Sequence, residues 1–128
     1  MEPNSISELI IGMERAALDR WCSGDPSGYL EITAQDVTYF DPLLEQRLDG
    51  LEALTKLYES IRGKIFVDSY ELINPQVQVY GESAVLTFNY AACVGSNESR
   101  WNCCEVYTKI HGDWKIVHTH WSMTKALK

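Results

Sequence analysis

From Ile65 onward, apolar and polar residues alternate with a period of two, and the pattern holds as far as Ser122. Alternation of that length commits the second half of the chain to a sheet with one buried face. The segments read as strands over Ile65–Ile73, Gln76–Tyr80, Ala84–Val94, Arg100–Ile110 and Trp114–Ser122. Asn74-Pro75 interrupts the first pair, and Gly81-Glu82, Gly95–Glu98 and the region of Gly112 turn the chain. Connections this short predict antiparallel neighbours. The last segment, Trp-Lys-Ile-Val-His-Thr-His-Trp-Ser, carries bulky apolar groups at both its even and its odd positions. A strand covered on both sides lies centrally in its sheet.

The first half is helical. Ser5 and Glu8 have the spacing of a capping box, which predicts a helix over residues 5–22. Leu9, Ile10, Met13, Ala17 and Trp21 form its apolar stripe. Gly24 ends this helix. Asp25-Pro26 begins a short one through about Thr33, with the aspartate as N-cap, carrying Tyr29, Leu30 and Ile32. Val37–Phe40 is a short strand stopped by Asp41-Pro42, and Leu51–Ile61 is a third helix followed by Gly63. Helices first and a meander second mean an α+β domain spanning residues 1–128. The expected shape is a cone: a curved antiparallel sheet with three helices over its concave face and a pocket inside. The outer face keeps apolar candidates in Trp114, Ile116 and Val106, which predicts a homodimer through that face.

A net charge of −7 argues against nucleic-acid and anionic-membrane partners. The chain has no long apolar run and no leader pattern, so a cytoplasmic protein is expected. Cys22, Cys93, Cys103 and Cys104 form no Cys-x-x-Cys pair and read as reduced thiols. Cys103 and Cys104 are adjacent and should point to opposite faces. No nucleotide, flavin or metal motif is present, so no cofactor is implied. His118 and His120, at i and i+2, are half a metal site without a third ligand of recognisable spacing.

Two carboxylates are candidates for chemistry. Asp41 ends a strand before a proline, which places it at the rim or floor of the cone. There it is either a base made stronger by apolar walls or a cap of the turn through its own backbone. Glu105 lies mid-strand among Trp, Cys, Val and Tyr, where a charge is costly. It is either a neutral acid donating to a developing oxyanion or an ion-pair partner of Arg100, Lys109 or Lys115. Register decides its neighbours. A three-residue loop, Ile110-His111-Gly112, sets Glu105 opposite Val117 and near Thr119 and Trp121; a two-residue loop sets it opposite His118. The glycine position favours the longer loop. Tyr107, Glu105, Val117, Thr119 and Trp121 then face the pocket, with His118 and His120 on the other side. Tyr29, Tyr39 and Tyr90 are further lining candidates.

Several segments together resemble the nuclear transport factor 2-like superfamily, also called SnoaL-like or ketosteroid-isomerase-like. They are Gly24-Asp25 with Tyr29, Asp36–Pro42, Leu48–Leu51, Asn74–Val77 and Gly112–His120. Within it the chain looks most like the association (hub) domain of calcium/calmodulin-dependent protein kinase II and its bacterial relatives. The resemblance implies a cofactor-independent isomerase, dehydratase or cyclase using carboxylate chemistry on a small, largely apolar substrate. It equally accommodates a ligand-binding or oligomerisation module. Asp41 matches the general-base aspartate of ketosteroid isomerases, and Trp121 a pocket tryptophan. Tyr29 matches a pocket tyrosine of hub domains, and the hub resemblance agrees with the three-residue loop. A dyad of His118 or His120 with Asp41 would resemble related dehydratases. Four positions depart from these patterns. Hub pocket arginines are matched by Tyr90, Glu105 and Trp121, and the isomerase carbonyl-polarising tyrosine is matched by Ala17. With these the resemblance implies neither an anionic ligand nor a complete oxyanion pair.

Overall fold

The computed structural model describes residues 2–124. Helix α1 runs Pro3–Trp21 with Glu2 at its N-cap position and no side-chain cap. Ser5 and Glu8 therefore lie inside the helix and the expected capping box does not form. Proline at the start carries no N–H to cap and has its φ already set for a helix. The buried stripe is Ile6, Ile10, Glu14, Ala17 and Leu18, whereas Leu9 is exposed. Helix α2, Ser27–Glu31, has Pro26 rather than Asp25 at its N-cap position and no side-chain cap; Asp25 stands one residue earlier, where its carboxylate accepts the Ser27 N–H at 2.9 Å. The helix stops short of Thr33, because Thr33 opens a strand longer than anticipated, β1 over Thr33–Phe40. A two-residue strand β2, Leu48–Asp49, precedes α3, Leu51–Ile61, which has the expected bounds.

The meander consists of β3 (Ser69–Tyr80), β4 (Ser83–Val94), β5 (Asn97–Ile110) and β6 (Asp113–Met123). Asn74-Pro75 does not break β3. Asn74 adopts a φ of 51° and the register shifts between Ile73 and Gln76, so the pair forms a bulge. β3 is an edge strand, where a residue without an N–H is tolerated. The sheet order is β2-β1-β6-β5-β4-β3. β6 is central, as its sequence implies. The sheet is mixed rather than wholly antiparallel, because β1 pairs with β6 in parallel. That pairing needs the long crossover that α3 and β3–β5 supply.

The β5–β6 turn corrects the predicted loop. Ile110 pairs with Asp113, and His111 (φ 52°) and Gly112 (φ 87°) form a two-residue turn. Such a turn alone would put Glu105 opposite His118. A bulge intervenes: Tyr107 pairs with Ile116, but Val106 pairs with His118 and Glu105 with Thr119. Val117 is the extra residue, and the inward set changes parity there. Trp114 and Ile116 face inward before it and Thr119 faces inward after it. Both alternating sets of this strand are thus bulky because each takes its turn inside. Trp114 and Ile116 belong to the core rather than to the outer face, and Val117 is half-buried in the bulge instead of opposing Glu105.

One core lies between the helices and the inner sheet face, built around Ile10, Leu18, Leu54, Leu86, Tyr107 and Ile116. Among the described residues, no helix is long and apolar enough to cross a membrane. Left-handed backbone at Gly112 penalises a Cβ, so Gly112→Ala should lower unfolding free energy by about 1–2 kcal/mol. Urea denaturation should show this as a reduced midpoint with an unchanged slope.

Candidate functional site

Aromatic residues spaced along α1, α2, β1, α3, β4 and β6 converge because each occupies an inward position of its element. Trp21, Tyr29, Tyr39, Tyr58, Tyr90 and Trp121 wall a cavity of about 470 Å³. Their rings meet edge to face. Trp21–Tyr58 centroids are 5.0 Å apart, Tyr39–Tyr58 5.8 Å and Tyr90–Trp121 5.6 Å. Leu43, Phe66 and Val94 are exposed and form an apolar rim.

Asp41 stands at this cavity, immediately after β1. Its Oδ2 accepts the Tyr39 hydroxyl at 2.9 Å and its Oδ1 accepts the Leu43 N–H at 2.8 Å. The turn-capping and cavity-facing readings therefore hold together: the backbone contact is what aims the carboxylate. Tyr39, Tyr90, Tyr29 and Trp121 line the same space.

Glu105, Tyr107 and Thr119 do not line the cavity. They are buried behind its floor, Glu105 and Tyr107 completely so. The ion pairs considered for Glu105 do not form. Arg100 pairs with Glu98, and Lys115 donates to the Glu31 carbonyl. Glu105 Oε2 accepts the Thr119 hydroxyl at 3.3 Å, while Oε1 has no hydrogen-bond partner among the described residues. The companion that sequence reasoning missed is Glu14, wholly buried on α1. Tyr29 donates to its Oε2 at 2.6 Å and Tyr107 to its Oε1 at 3.0 Å. The missed signal is a carboxylate four residues after Ile10 and four before Leu18, inside the buried stripe. Burial above all, then the charge of Glu14, pushes the Glu105 carboxyl well above its ordinary range. That shift favours the protonated form of Glu105, and Tyr29 connects the cavity wall to the buried carboxyl pair.

The histidines face away. Thr38 Oγ1 and His118 Nδ1 are 2.7 Å apart, and both imidazoles pack on Phe40. Burial, followed by repulsion from His120, lowers the His118 pKa. The structure supplies Asp41 with Tyr39 and His118 with Thr38, so it does not assemble the considered dyad. His120 and Cys104 border a polar groove of about 410 Å³ on the outer sheet face. Cys103 is buried on the inner side, opposite in direction to Cys104, and all four cysteines are free. Among the described residues, no group of three or more His, Cys, Asp or Glu is arranged to hold a metal.

The family model described as the calcium/calmodulin dependent protein kinase II association domain matches residues 7–125. Among solved structures, the chain is similar to a candidate ketosteroid isomerase from Parabacteroides distasonis ATCC 8503. Identity is 41%, coverage is 96% of this chain and 91% of that one, and the TM-score is 0.88. A nuclear transport factor 2-like protein of unknown function from Pseudomonas putida KT2440 shares the fold at 19% identity. It covers 100% of this chain and 99% of that one, with a TM-score of 0.86. The CaMKII hub of S. rosetta shares it at 21% identity, covering 97% and 98%, with a TM-score of 0.77. No curated protein matches the chain.

The buried carboxyl pair has a measurable consequence. A folded-state pKa raised above the unfolded value means that unfolding releases a proton. The stabilisation is complete below the unfolded value of about 4.5 and is lost as pH rises towards the folded value. Glu105→Gln keeps the shape and cannot ionise. Its stability advantage over the parent should grow with pH by up to about 1.4 kcal/mol per unit. Denaturant titrations at pH 4, 6 and 8 measure this; a pH-independent difference would refute the protonated state.

Proposed function

The chain belongs to the calcium/calmodulin dependent protein kinase II association domain family, and from that premise we propose that its cavity is a small-molecule site in which Asp41 moves a proton. The observation that carries this reading is a single carboxylate, oriented by two hydrogen bonds, at a cavity lined mainly by aromatic and aliphatic side chains, with Lys64 and Ser99 the other polar residues at its border. Each oxygen of Asp41 accepts one bond and keeps a second lone pair for a substrate. Apolar walls exclude water and strengthen the electrostatics of the transfer. The reaction class is cofactor-independent isomerisation, dehydration or cyclisation of a largely apolar substrate. The isomerase name of the 41% identical relative supports that class. Ala17 leaves its place on α1 without a hydroxyl, so a steroid-isomerase oxyanion pair is not assumed. Glu105 does not reach the cavity. In this reading it supports Glu14, which holds Tyr29 in place, and Asp41 carries the proton transfer.

Asp41→Asn keeps one of the two acceptor contacts, that from the Leu43 N–H, and removes the base. Turnover of an identified substrate should fall by at least about 10²-fold in kcat, with KM little changed. Unchanged turnover would sink this reading.

A second reading concerns the outer sheet face. Its centre displays Thr87, Cys104, Val106, His118, His120 and Phe40, and no Asp, Glu, Lys or Arg. That is a marked depletion in a chain with 23% charged residues. Depletion of charge is the compositional mark of an interface core, and the association-domain match supports self-association. We assign this face to a homodimer. Light scattering should give twice the chain mass for the parent and the single mass for Val106→Glu, with circular dichroism unaltered. A monomeric parent would contradict it.

A further inference from the structure

We propose that the ligand of the cavity is a small organic cation, a protonated or quaternary amine with apolar substituents. This rests on the cavity being a small-molecule site and adds the charge of its occupant.

Aromatic rings set at several angles to one another line the space. Trp21 and Tyr58 meet at 63°, Tyr39 and Tyr58 at 85°, and Tyr90 and Trp121 at 71°. The face of an aromatic ring is its negative region, and rings arranged around a space attract a cation from more than one side. The hydroxyl groups sharpen this preference. Tyr29 donates its proton to Glu14 at 2.6 Å and Tyr39 donates its proton to Asp41 at 2.9 Å. A phenol that donates to a carboxylate gains electron density in its ring, which makes the face more negative. Both of these phenolic protons are committed to carboxylates, which leaves Tyr58, Tyr90 and Ser99 as the other hydroxyls at the cavity, and Tyr90 lies 3.4 Å from Cys22 Sγ. The Trp101 indole N–H is likewise engaged, by Ser99 Oγ at 3.0 Å.

Two ionisable side chains of opposite sign border the space. Lys64 is exposed, where its charge is screened by water and salt. Asp41 is half-buried and fixed by two hydrogen bonds. Behind the Tyr29 ring lies Glu14, a second carboxyl acceptor. An anion entering here meets the half-buried Asp41 carboxylate, with only the solvent-screened charge of Lys64 to offset it. A neutral molecule gains only burial. A cation with apolar substituents gains burial, ring attraction and Asp41 together.

The test uses three probes of one shape and three charges: choline, its carbon analogue 3,3-dimethylbutan-1-ol, and 3,3-dimethylbutanoate. Isothermal titration of the full chain at low ionic strength should rank them in that order. Choline should bind about tenfold more tightly than the alcohol. Asp41→Asn should reduce choline affinity several-fold and leave the alcohol unchanged, which also reports that the cavity remains folded. Tyr58→Leu should narrow the ratio of choline to alcohol affinity through loss of an aromatic ring. An alcohol that binds as tightly as choline would overturn the charge assignment while the proton-transfer role of Asp41, tested by turnover, stands apart. Tighter binding of the carboxylate, or no binding of any probe, would overturn it as well.

Discussion

One extra residue in one strand determines which side chains this protein keeps inside. Val117 bulges from β6 between the pairs Tyr107–Ile116 and Val106–His118. A residue inserted there exchanges the two faces for the rest of the strand. Because of it, Trp114 and Ile116 join the core, Thr119 reaches Glu105 and Trp121 reaches the cavity, while His118 and His120 turn outward. Without the bulge, the two-residue turn at His111-Gly112 would carry His118 across from Glu105 and remove Trp121 from the wall.

The same arrangement explains how two carboxyl groups survive in the interior. Glu14 and Glu105 meet beneath the cavity with no Lys or Arg among the described residues paired to them. Two phenols satisfy Glu14, and burial favours the protonated form of Glu105, which accepts the Thr119 hydroxyl. Burying one proton there costs less than burying two like charges. Tyr29 belongs both to this network and to the cavity wall, so the interior chemistry and the ligand-facing surface share a residue. Asp41 plays the complementary part at the edge: Leu43 and Tyr39 aim it, and the apolar rim of Leu43, Phe66 and Val94 surrounds it.

Much of this was legible beforehand. The helix Leu51–Ile61, the strands β4 to β6, the central place of β6 and the cavity-facing set of Asp41, Tyr29, Tyr39, Tyr90 and Trp121 follow from local pattern or from resemblance. The inward direction of Glu105 was also anticipated, but through a three-residue loop that does not exist. A shorter turn followed by a bulge reaches the same facing, because each contributes a shift of one residue. Glu14 escaped notice because helical-stripe reasoning looks for apolar groups, and a glutamate on that stripe is ordinarily assigned to solvent. Its partners, Tyr29 and Tyr107, lie 15 and 93 residues away.

The amino-acid sequence alone determined the α+β class, the meander and the aromatic supply of the interior, since these depend on periodicity within single elements. Tertiary structure decided the parallel pairing of β1 with β6, the parity change at Val117 and the meeting of Glu14 with Glu105. The physical reason is the range of the interaction. Periodicity records which face of an element is buried, whereas a bulge or a buried carboxyl pair is selected only when distant strands and helices pack against it.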